Sequence, residues 1–267
     1  MATRGIGRFW RLLTVVIVKP PLFLLTRRTW HGAAHLDTPG GVIVVVNHLS
    51  HFDPLVVSHF VYDAGRWPQF LAKQSVFDVP VLGWLLRRLK QIPVRRGTVD
   101  AARALDAAIN AVKAGDAVVI YPEGTNTKQP DLWPMRARTG VARLWHATGA
   151  PVVPVVTWGP QRIFHPHTKK LRLRPRTPVT VVAGPPIEFE GYRRDQPLSS
   201  TAMQEITELV MLRLRDLLAQ VRGEPAPPLF APGRPAANTP SPGGAGTPPA
   251  DRPPADRPPA GGPGEAR

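Results

Sequence analysis

The chain of 267 residues contains no cysteine. It therefore has no disulfide framework, no thiolate metal site and no acyl-cysteine chemistry, which fits an intracellular protein. It also lacks the Gly-x-Ser-x-Gly elbow of serine hydrolases and the Gly-rich, lysine-containing phosphate loop of nucleotide hydrolases. Neither of those two enzyme classes is indicated.

Acidic residues are scarce. The chain has 19 aspartates and glutamates against 34 lysines and arginines, so its formal net charge is +15. Residues 223–267 hold four arginines and four acids, and the rest of the chain therefore carries the whole excess. Such an excess predicts an anionic partner, which is nucleic acid, an acidic membrane surface or a phosphorylated substrate. Charge alone does not choose among the three.

The end of the chain lacks the apolar side chains that a core needs. Residues 223–267 include 14 prolines and 8 glycines, and Ala-Asp-Arg-Pro-Pro occurs there twice in succession. This composition predicts a disordered tail.

Long hydrophobic runs are also missing. The longest apolar stretch near the start, residues 12–25, would span only about 21 Å as a helix against a bilayer core of about 30 Å, and Lys19-Pro20-Pro21 interrupts it. We expect no transmembrane span. Instead, residues 1–30 are predicted to form an interfacial helical segment, with Trp10 and Phe23 in the headgroup region and the arginines reaching anionic lipid. The protein is then peripheral, on the cytoplasmic face of the cell membrane; the alternative for this segment is a pair of core helices.

Between these two ends, apolar runs alternate with amphipathic stretches. Strands are predicted at 42–46, 69–73, 92–94, 117–121, 152–156 and 179–183, and helices at 54–62, 81–90, 99–114, 139–148 and 201–221. This alternation predicts an α/β domain over residues 31–222, with a mostly parallel sheet flanked by helices. The order of the strands is not readable from the sequence.

A histidine and an aspartate five positions apart follow the first predicted strand. An imidazole can remove a proton from a hydroxyl at neutral pH when a carboxylate orients it, and His48 and Asp53 are suited to those roles. The chain must bend between them, because five residues of continuous helix would leave the side chains roughly 140° apart. Two other interpretations stay open: Asp53 caps the helix that starts near Pro54, or His48, His51 and Asp53 hold the metal of a hydrolase.

Three more segments rich in phosphate-binding groups follow predicted strands or lie in them. They are Val94-Arg95-Arg96-Gly97, the stretch from Tyr121 to Lys128, and Pro151-Val152-Val153-Pro154-Val155. Together with residues 47–54, they resemble in order and approximate spacing the four motif blocks of the glycerolipid acyltransferases, specifically the 1-acylglycerol-3-phosphate (lysophosphatidate) acyltransferases. The resemblance covers about residues 30 to 190 and extends to Phe70-Leu71-Ala72-Lys73 and Gly83-Trp84-Leu85-Leu86.

The resemblance implies a role for each matching position. His48 would be the general base and Asp53 its orienting partner. The acceptor and its phosphate would be bound by Lys73, Arg95 or Arg96, Glu123, Gly124 and Thr125. Pro154 would belong to the acyl-donor side of the site.

The implied reaction moves a fatty acyl group from a thioester to the free hydroxyl of lysophosphatidate, giving phosphatidic acid. The co-substrate would be acyl-CoA or acyl-carrier protein, and no cofactor or metal is implied. The expected partners are an anionic membrane surface, a lysophospholipid, an acyl thioester and, for a carrier-dependent enzyme, the carrier protein.

One position departs from the pattern, because Asn126 stands where the third block usually has arginine. An amide cannot reproduce the bidentate, charged contact of a guanidinium with phosphate. Either Lys128, Arg136 or Arg138 supplies the missing charge, or the acceptor is a different lysolipid or polyol.

A basic nucleic-acid-binding protein is the alternative from another class. It would account for the charge excess. However, the chain has no recognisable nucleic-acid motif, and its aromatic residues are not interleaved with basic ones on short strands. No nucleic-acid partner is therefore predicted.

Overall fold

The computed structural model describes residues 8–95 and 100–229. Within these ranges, seven strands form one sheet. The strands are β1 (Thr26–His31), β2 (Val42–Val46), β3 (Pro68–Lys73), β4 (Ile92–Val94), β5 (Ala117–Ile120), β6 (Val152–Trp158) and β7 (Thr177–Ala183). The helices are α1 (Arg8–Leu25), α2 (Asp53–Asp63), α3 (Gln74–Phe77), α4 (Pro80–Arg88), α5 (Asp100–Lys113), α6 (Gly140–Thr148), α7 (Pro160–Ile163) and α8 (Ser200–Arg222), with a 3-10 turn at Ala33–Leu36.

The strand order across the sheet is β1-β7-β6-β2-β5-β3-β4. Neighbouring strands run parallel except for β6 and β7, which are antiparallel. This confirms the predicted α/β class with a mostly parallel sheet. Because β2, β5, β3 and β4 are neighbours and parallel, the segments that follow them emerge along one edge of the sheet.

Helices cover both faces of the sheet. Alternate residues of β2 point to opposite sides, so Ile43 and Val45 join the core under α5, α6 and α8, while Val44 and Val46 join the core under α2. All five residues of β2 are fully buried. An unbroken apolar run is what a central parallel strand needs, since both of its faces are covered.

The N-terminal segment differs from its prediction at its end. The helix stops at Leu25, and Thr26–His31 forms the edge strand β1 beside β7, in place of a helical segment that continues to residue 30. An edge strand tolerates charged side chains on its open side, which is why a sequence as basic as Thr-Arg-Arg-Thr-Trp-His can pair. Among the described residues, no helix combines the length and the apolar content that a bilayer crossing requires.

Helix α1 is not a core helix. It buries Leu22 but exposes half or more of the surface of most of its other large apolar side chains, which are Phe9, Leu12, Val16, Ile17, Phe23 and Leu24. Its Trp10 packs edge-on against Trp84 of α4, with ring centroids 4.9 Å apart. The alternative of a core helix pair is therefore wrong, and the interfacial interpretation stays a prediction.

The start of the predicted disordered tail is packed. After α8, Ala226 and Leu229 contact the core cluster under α8, and Arg215 donates a hydrogen bond to the carbonyl oxygen of Pro227 at 3.3 Å. The prediction of a disordered tail over residues 230–267 lies outside the described residues.

Candidate active site

The parallel strands bring most of the predicted site residues to one edge of the sheet. His48 follows β2, Glu123 follows the neighbouring β5, and Lys73 ends β3. Lys73 of β3 pairs with Val94 of β4, so the next residue, Arg95, lies close to Lys73. These positions are far apart in sequence and meet only because their strands are neighbours.

His48 and Asp53 are in direct contact. The Nδ1 atom of His48 lies 3.1 Å from Oδ2 of Asp53. The side chain of His48 is 14 % exposed, whereas that of Asp53 is fully buried. Nδ1 thus faces the carboxylate, which leaves Nε2 as the ring nitrogen available to a bound molecule.

Asp53 orients more than the imidazole. Its Oδ2 also accepts hydrogen bonds from the backbone N–H groups of Leu49 (2.6 Å) and Ser50 (2.8 Å), and thereby holds the turn that lets residues 48 and 53 meet. The prediction that Asp53 caps α2 is wrong, because Asp53 is the first helical residue and its side chain binds the preceding turn instead. Burial raises the pKa of Asp53, and these donors oppose that rise.

Glu123 links the loop after β2 to the segment that contains Met135. Its Oε1 accepts from the backbone N–H of His48 at 3.0 Å, and its Oε2 accepts from that of Met135 at 3.1 Å. The residue is only 6 % exposed. Burial raises the pKa of Glu123 to about 8. Both oxygens of Glu123 accept from backbone N–H groups, one of them that of His48, and the acceptor-binding role that the resemblance implies stays a prediction.

Several residues that carried no predicted role complete this support. The side-chain amide of Asn47 exchanges two hydrogen bonds with the backbone of Thr157 in β6, at 3.2 and 2.8 Å. Thr127 donates its N–H to the carbonyl oxygen of His48 at 2.8 Å. Ser50 donates its hydroxyl to the carbonyl oxygen of Phe164 at 2.6 Å. The sequence signal for these residues was their polar character after a buried strand. It could not identify their partners, which are distant in sequence.

Tyr121 connects the histidine to a cavity. Its ring stacks on the His48 imidazole, with centroids 4.1 Å apart and planes inclined by 23°. It also lines a cavity of about 520 Å³ between β4, β5, α5 and α6. The cavity wall is mostly apolar, with Leu71, Leu105 and Val141 among its residues. An apolar cavity with a few polar groups is the usual form of a small-molecule site.

Basic side chains also line this cavity. Exposed Lys73 and Arg138 are part of its wall, together with Gly124, whose φ of 70° lets the chain turn directly after Glu123. The backbone N–H of Arg138 donates to the carbonyl oxygen of Pro122 at 3.2 Å, which fixes Arg138 beside the third block. The cavity thus combines an apolar wall with cations.

The other predicted residues that the structure describes do not line the cavity. Thr125 is exposed, and Arg95 is exposed at the end of β4. The Oδ1 atom of Asn126 is buried without a hydrogen-bond partner. Pro154 is buried within β6, opposite Val45 of β2, and is not part of the cavity wall. Arg96 lies outside the described residues.

The metal-hydrolase alternative lacks a ligand set. Across residues 8–95 and 100–229, no three histidine, cysteine, aspartate or glutamate side chains group as a metal site requires. The rings of His48 and His51 have centroids 6.4 Å apart, and His51 instead packs against Phe164.

Comparisons with known proteins indicate the family and the fold. The family model described as Acyltransferase matches residues 27–158, which include His48, Asp53 and Glu123. A crystal structure of the 1-acyl-sn-glycerophosphate acyltransferase PlsC from Thermotoga maritima is similar, with a TM-score of 0.56 and 25% sequence identity. That likeness covers 81% of this chain and 84% of the PlsC chain.

Curated relatives are similar over shorter ranges. A chloroplastic 1-acyl-sn-glycerol-3-phosphate acyltransferase of Brassica napus, BAT2, is 31% identical over 131 residues, which is 48% of this chain and 35% of the relative. A 1-acyl-sn-glycerol-3-phosphate acyltransferase of Borreliella burgdorferi is 27% identical over 134 residues, 50% of this chain and 52% of the relative. These matches span about a third to a half of the relatives' length.

Proposed function

The α/β domain of this chain belongs to the acyltransferase family, and from this premise we propose that the protein moves a fatty acyl group from a thioester to the hydroxyl of a lysophospholipid. The observation that carries the proposal is the His48–Asp53 contact beside an apolar cavity that also carries cations. The donor is the thioester of coenzyme A or of an acyl-carrier protein. Lysophosphatidate is the proposed acceptor, with phosphatidic acid as the product.

In the proposed reaction, His48 acts as a general base. Its Nε2 takes the proton of the acceptor hydroxyl while the hydroxyl oxygen attacks the thioester carbon. The carbon–sulfur bond then breaks, and the departing thiolate receives the proton back from His48. General-base assistance of this kind contributes about 10²- to 10⁴-fold in rate. No covalent acyl-enzyme is needed.

The cavity is proposed to hold an acyl chain. Its wall is mostly apolar, and Tyr121 joins it to the imidazole, so a chain inside the cavity would have its functional end near His48. Lys73 and Arg138 line the same space and are proposed to bind the acceptor's phosphate, with Arg95 beside Lys73 at the sheet edge. Gly124 and Thr125 would contribute backbone and hydroxyl contacts. Pro154, buried in β6, is proposed to support the donor side only through packing.

Asn126 favours a second candidate acceptor. The amide carries no charge, and its Oδ1 is buried. A lysolipid with a headgroup other than a bare phosphate, or a polyol, would need less positive charge there. If the acceptor does carry a bare phosphate, Arg138 is the proposed cation that replaces the charge missing at Asn126, because its backbone is fixed beside Pro122.

The protein is further proposed to work as a peripheral protein on the cytoplasmic face of the cell membrane. The exposed apolar side chains of α1 are accompanied by Val81, Leu82 and Trp84 of α4, which is joined to α1 through Trp10. Exposed apolar groups beside arginines are typical of segments that lie in the headgroup region of anionic bilayers.

Purified protein incubated with acyl-CoA and lysophosphatidate tests the proposal. We expect phosphatidic acid and one free thiol per turnover, with the rate reduced about 10²- to 10⁴-fold in His48→Ala. His51→Ala is the matched control, because it removes a neighbouring histidine that is not hydrogen-bonded to Asp53, and it should keep most of the activity. Equal rates for His48→Ala and the wild type would exclude the assigned base.

An acceptor screen separates the two candidate acceptors. Lysophosphatidate, lysophosphatidylethanolamine and glycerol are supplied in turn with the same thioester. A clear preference for lysophosphatidate, weakened by Arg138→Gln, supports the first. A preference for an acceptor without a terminal phosphate that Arg138→Gln does not change supports the second candidate acceptor.

A further inference from the structure

One basic segment of the surface has no role in the reaction described above. Residues 167–176 read His-Thr-Lys-Lys-Leu-Arg-Leu-Arg-Pro-Arg, and all ten are exposed. Leu171 and Leu173 expose 58% and 60% of their surface. The basic segment therefore alternates exposed leucines with cations.

The cations of the basic segment have no acidic counterpart. The chain contains no aspartate or glutamate between Asp131 and Glu188. Within the described residues, none of the segment's five lysines and arginines forms an ion pair. Five unpaired positive charges on ten residues fit an anionic surface.

The backbone of the basic segment is fixed although its side chains are exposed. Lys170 accepts from the N–H of His165 at 3.1 Å, and Arg172 donates its N–H to Ile163 at 2.7 Å. Leu171 forms an isolated antiparallel bridge with Phe164. The leucines and arginines are thus presented on an ordered support, which lowers the entropy lost on binding.

Two contacts connect the basic segment to regions already described. The N–H of Arg176 donates to the carbonyl oxygen of Leu24 at 2.9 Å, next to the exposed Phe23 and Leu24 at the end of α1. On the other side, Phe164 accepts the hydroxyl of Ser50 in the catalytic loop. The segment lies between the apolar surface of α1 and the loop that carries His48.

We propose that the basic segment, residues 167–176, is a second membrane-contacting element that binds an anionic lipid bilayer beside the catalytic loop. The arginines and lysines meet lipid phosphates, and the two leucines enter the headgroup boundary, which offers both kinds of contact at once. Continuity with the exposed apolar end of α1 favours a bilayer over a folded acidic partner. The proposal extends the proposed function, since it places the mouth of the site where a lipid acceptor resides.

Vesicle flotation of the full chain tests this proposal. Vesicles of phosphatidylcholine and phosphatidylglycerol in equal parts are compared with phosphatidylcholine alone. We expect the wild type to bind the mixed vesicles, and both Leu171→Ser/Leu173→Ser and Arg172→Gln/Arg174→Gln to bind them about tenfold or more weakly. The effect of the arginine pair should fade at high salt, because screening removes the charge contribution.

The matched control is Lys113→Gln/Arg213→Gln. It removes the same charge from exposed positions outside the segment and should change binding less than about twofold, as expected if only charges near the bilayer contribute. Thermal unfolding of every variant verifies that the fold is kept. Because the chain has no cysteine, a single Leu171→Cys can carry a polarity-sensitive dye. Its emission should shift to the blue with mixed vesicles, whereas the dye on Arg213→Cys should not respond.

The outcomes separate this proposal from the proposed function. If the wild type binds mixed vesicles and the segment variants bind equally well, the segment proposal is overturned while attachment through α1 stands. If the segment variants keep vesicle binding but lose turnover with acyl-carrier protein alone, the segment is a protein-docking surface and the proposal is overturned. If the wild type transfers acyl groups but binds no vesicle, both membrane proposals fail and the acyltransfer proposal remains.

Discussion

A histidine–aspartate pair lies at each end of helix α2, the first histidine in the loop before the helix, and the two pairs are built in opposite ways. At its start, His48 is partly exposed and Asp53 is buried, with Nδ1 facing the carboxylate at 3.1 Å. At its end, His59 is buried and Asp63 is 30 % exposed, with Nε2 of the histidine 3.3 Å from the carboxylate and 3.1 Å from Nη1 of Arg28.

The difference determines what each imidazole can do. In the first pair, the buried Asp53 contacts Nδ1 of His48 and also holds the turn before α2, so Nε2 is left for the proposed substrate. In the second pair, both Arg28 and Asp63 occupy the same nitrogen of His59, and burial lowers the pKa of His59 to about 4. A close contact between histidine and aspartate therefore does not by itself mark a catalytic base; the free nitrogen and its access do.

Exchanging the two aspartates for alanine tests this contrast. Asp53→Ala should lower turnover about 10²- to 10⁴-fold, because the imidazole loses its orientation, and should cost about 1–3 kcal/mol of unfolding free energy, since two buried N–H groups lose their acceptor. Asp63→Ala should change turnover less than about twofold and lower stability by about 1 kcal/mol. Steady-state kinetics and urea unfolding measure both. Similar losses of turnover in the two variants would remove the distinction.

The histidine of the second pair should matter for stability and not for rate. His59→Ala leaves a buried gap beside Arg28 and should lower the unfolding free energy by about 1–3 kcal/mol, with turnover per folded molecule unchanged. Between about pH 6.5 and 4 the unfolded chain binds a proton at His59 that the folded chain does not, so the wild type loses stability there as pH falls. Urea unfolding across this range should show a smaller loss in His59→Ala. An equal loss would contradict the assignment.

Glu123 accepts a hydrogen bond from the backbone of His48. Its titration should change the stability of the protein with pH in the direction opposite to that of His59. Its pKa is raised to about 8, so between about pH 4.5 and 8 the folded chain holds a proton that the unfolded chain has released. Wild-type stability should then fall as pH rises, by up to about 1.4 kcal/mol per pH unit. Glu123→Gln removes this dependence and should gain stability relative to the wild type with rising pH. A constant difference between the two proteins at all pH values would argue against a buried, protonated Glu123.

The partially exposed ion pair near the second histidine should contribute least. Lys19 lies 2.7 Å from Asp63, with side-chain exposures of 25% and 30%. Lys19→Met should lower the unfolding free energy by about 1 kcal/mol or less, because solvent screens such pairs. Urea unfolding at low and high salt measures it. A larger loss would mean that Lys19 fixes α1 to α2 more firmly than its exposure suggests.

Local patterns predicted much of this fold, and non-local contacts account for what they missed. The unbroken apolar run of β2 and the amphipathic α8 were readable, because burial imposes a pattern on each element by itself. The edge strand β1 was missed, since its adjacent Arg27 and Arg28 look like a membrane flank until β7 is placed beside it. The strand order and the antiparallel β6–β7 pair likewise depend on contacts that no single segment records.

The site shows the same division. The contact of His48 with Asp53 was predictable because the two residues are only five positions apart, and a local turn is enough to bring them together. The position of Glu123 was also predictable, but its hydrogen-bond partners were not, because they are backbone N–H groups 75 and 12 residues away. Asn47 and Tyr121 likewise act through partners that only the folded sheet brings near.

The central claim is that Asp53 holds the Nδ1 proton of His48 and leaves Nε2 free to act as the base. Nitrogen-15 NMR of histidine-labelled protein measures this directly, with His48→Ala used to assign the signals. At neutral to mildly alkaline pH, we expect the His48 spectrum of a single tautomer, protonated at Nδ1 and unprotonated at Nε2. In Asp53→Ala, we expect a mixture of the two tautomers instead. A His48 ring protonated at Nε2, or one whose tautomer is unchanged by Asp53→Ala, would contradict the account.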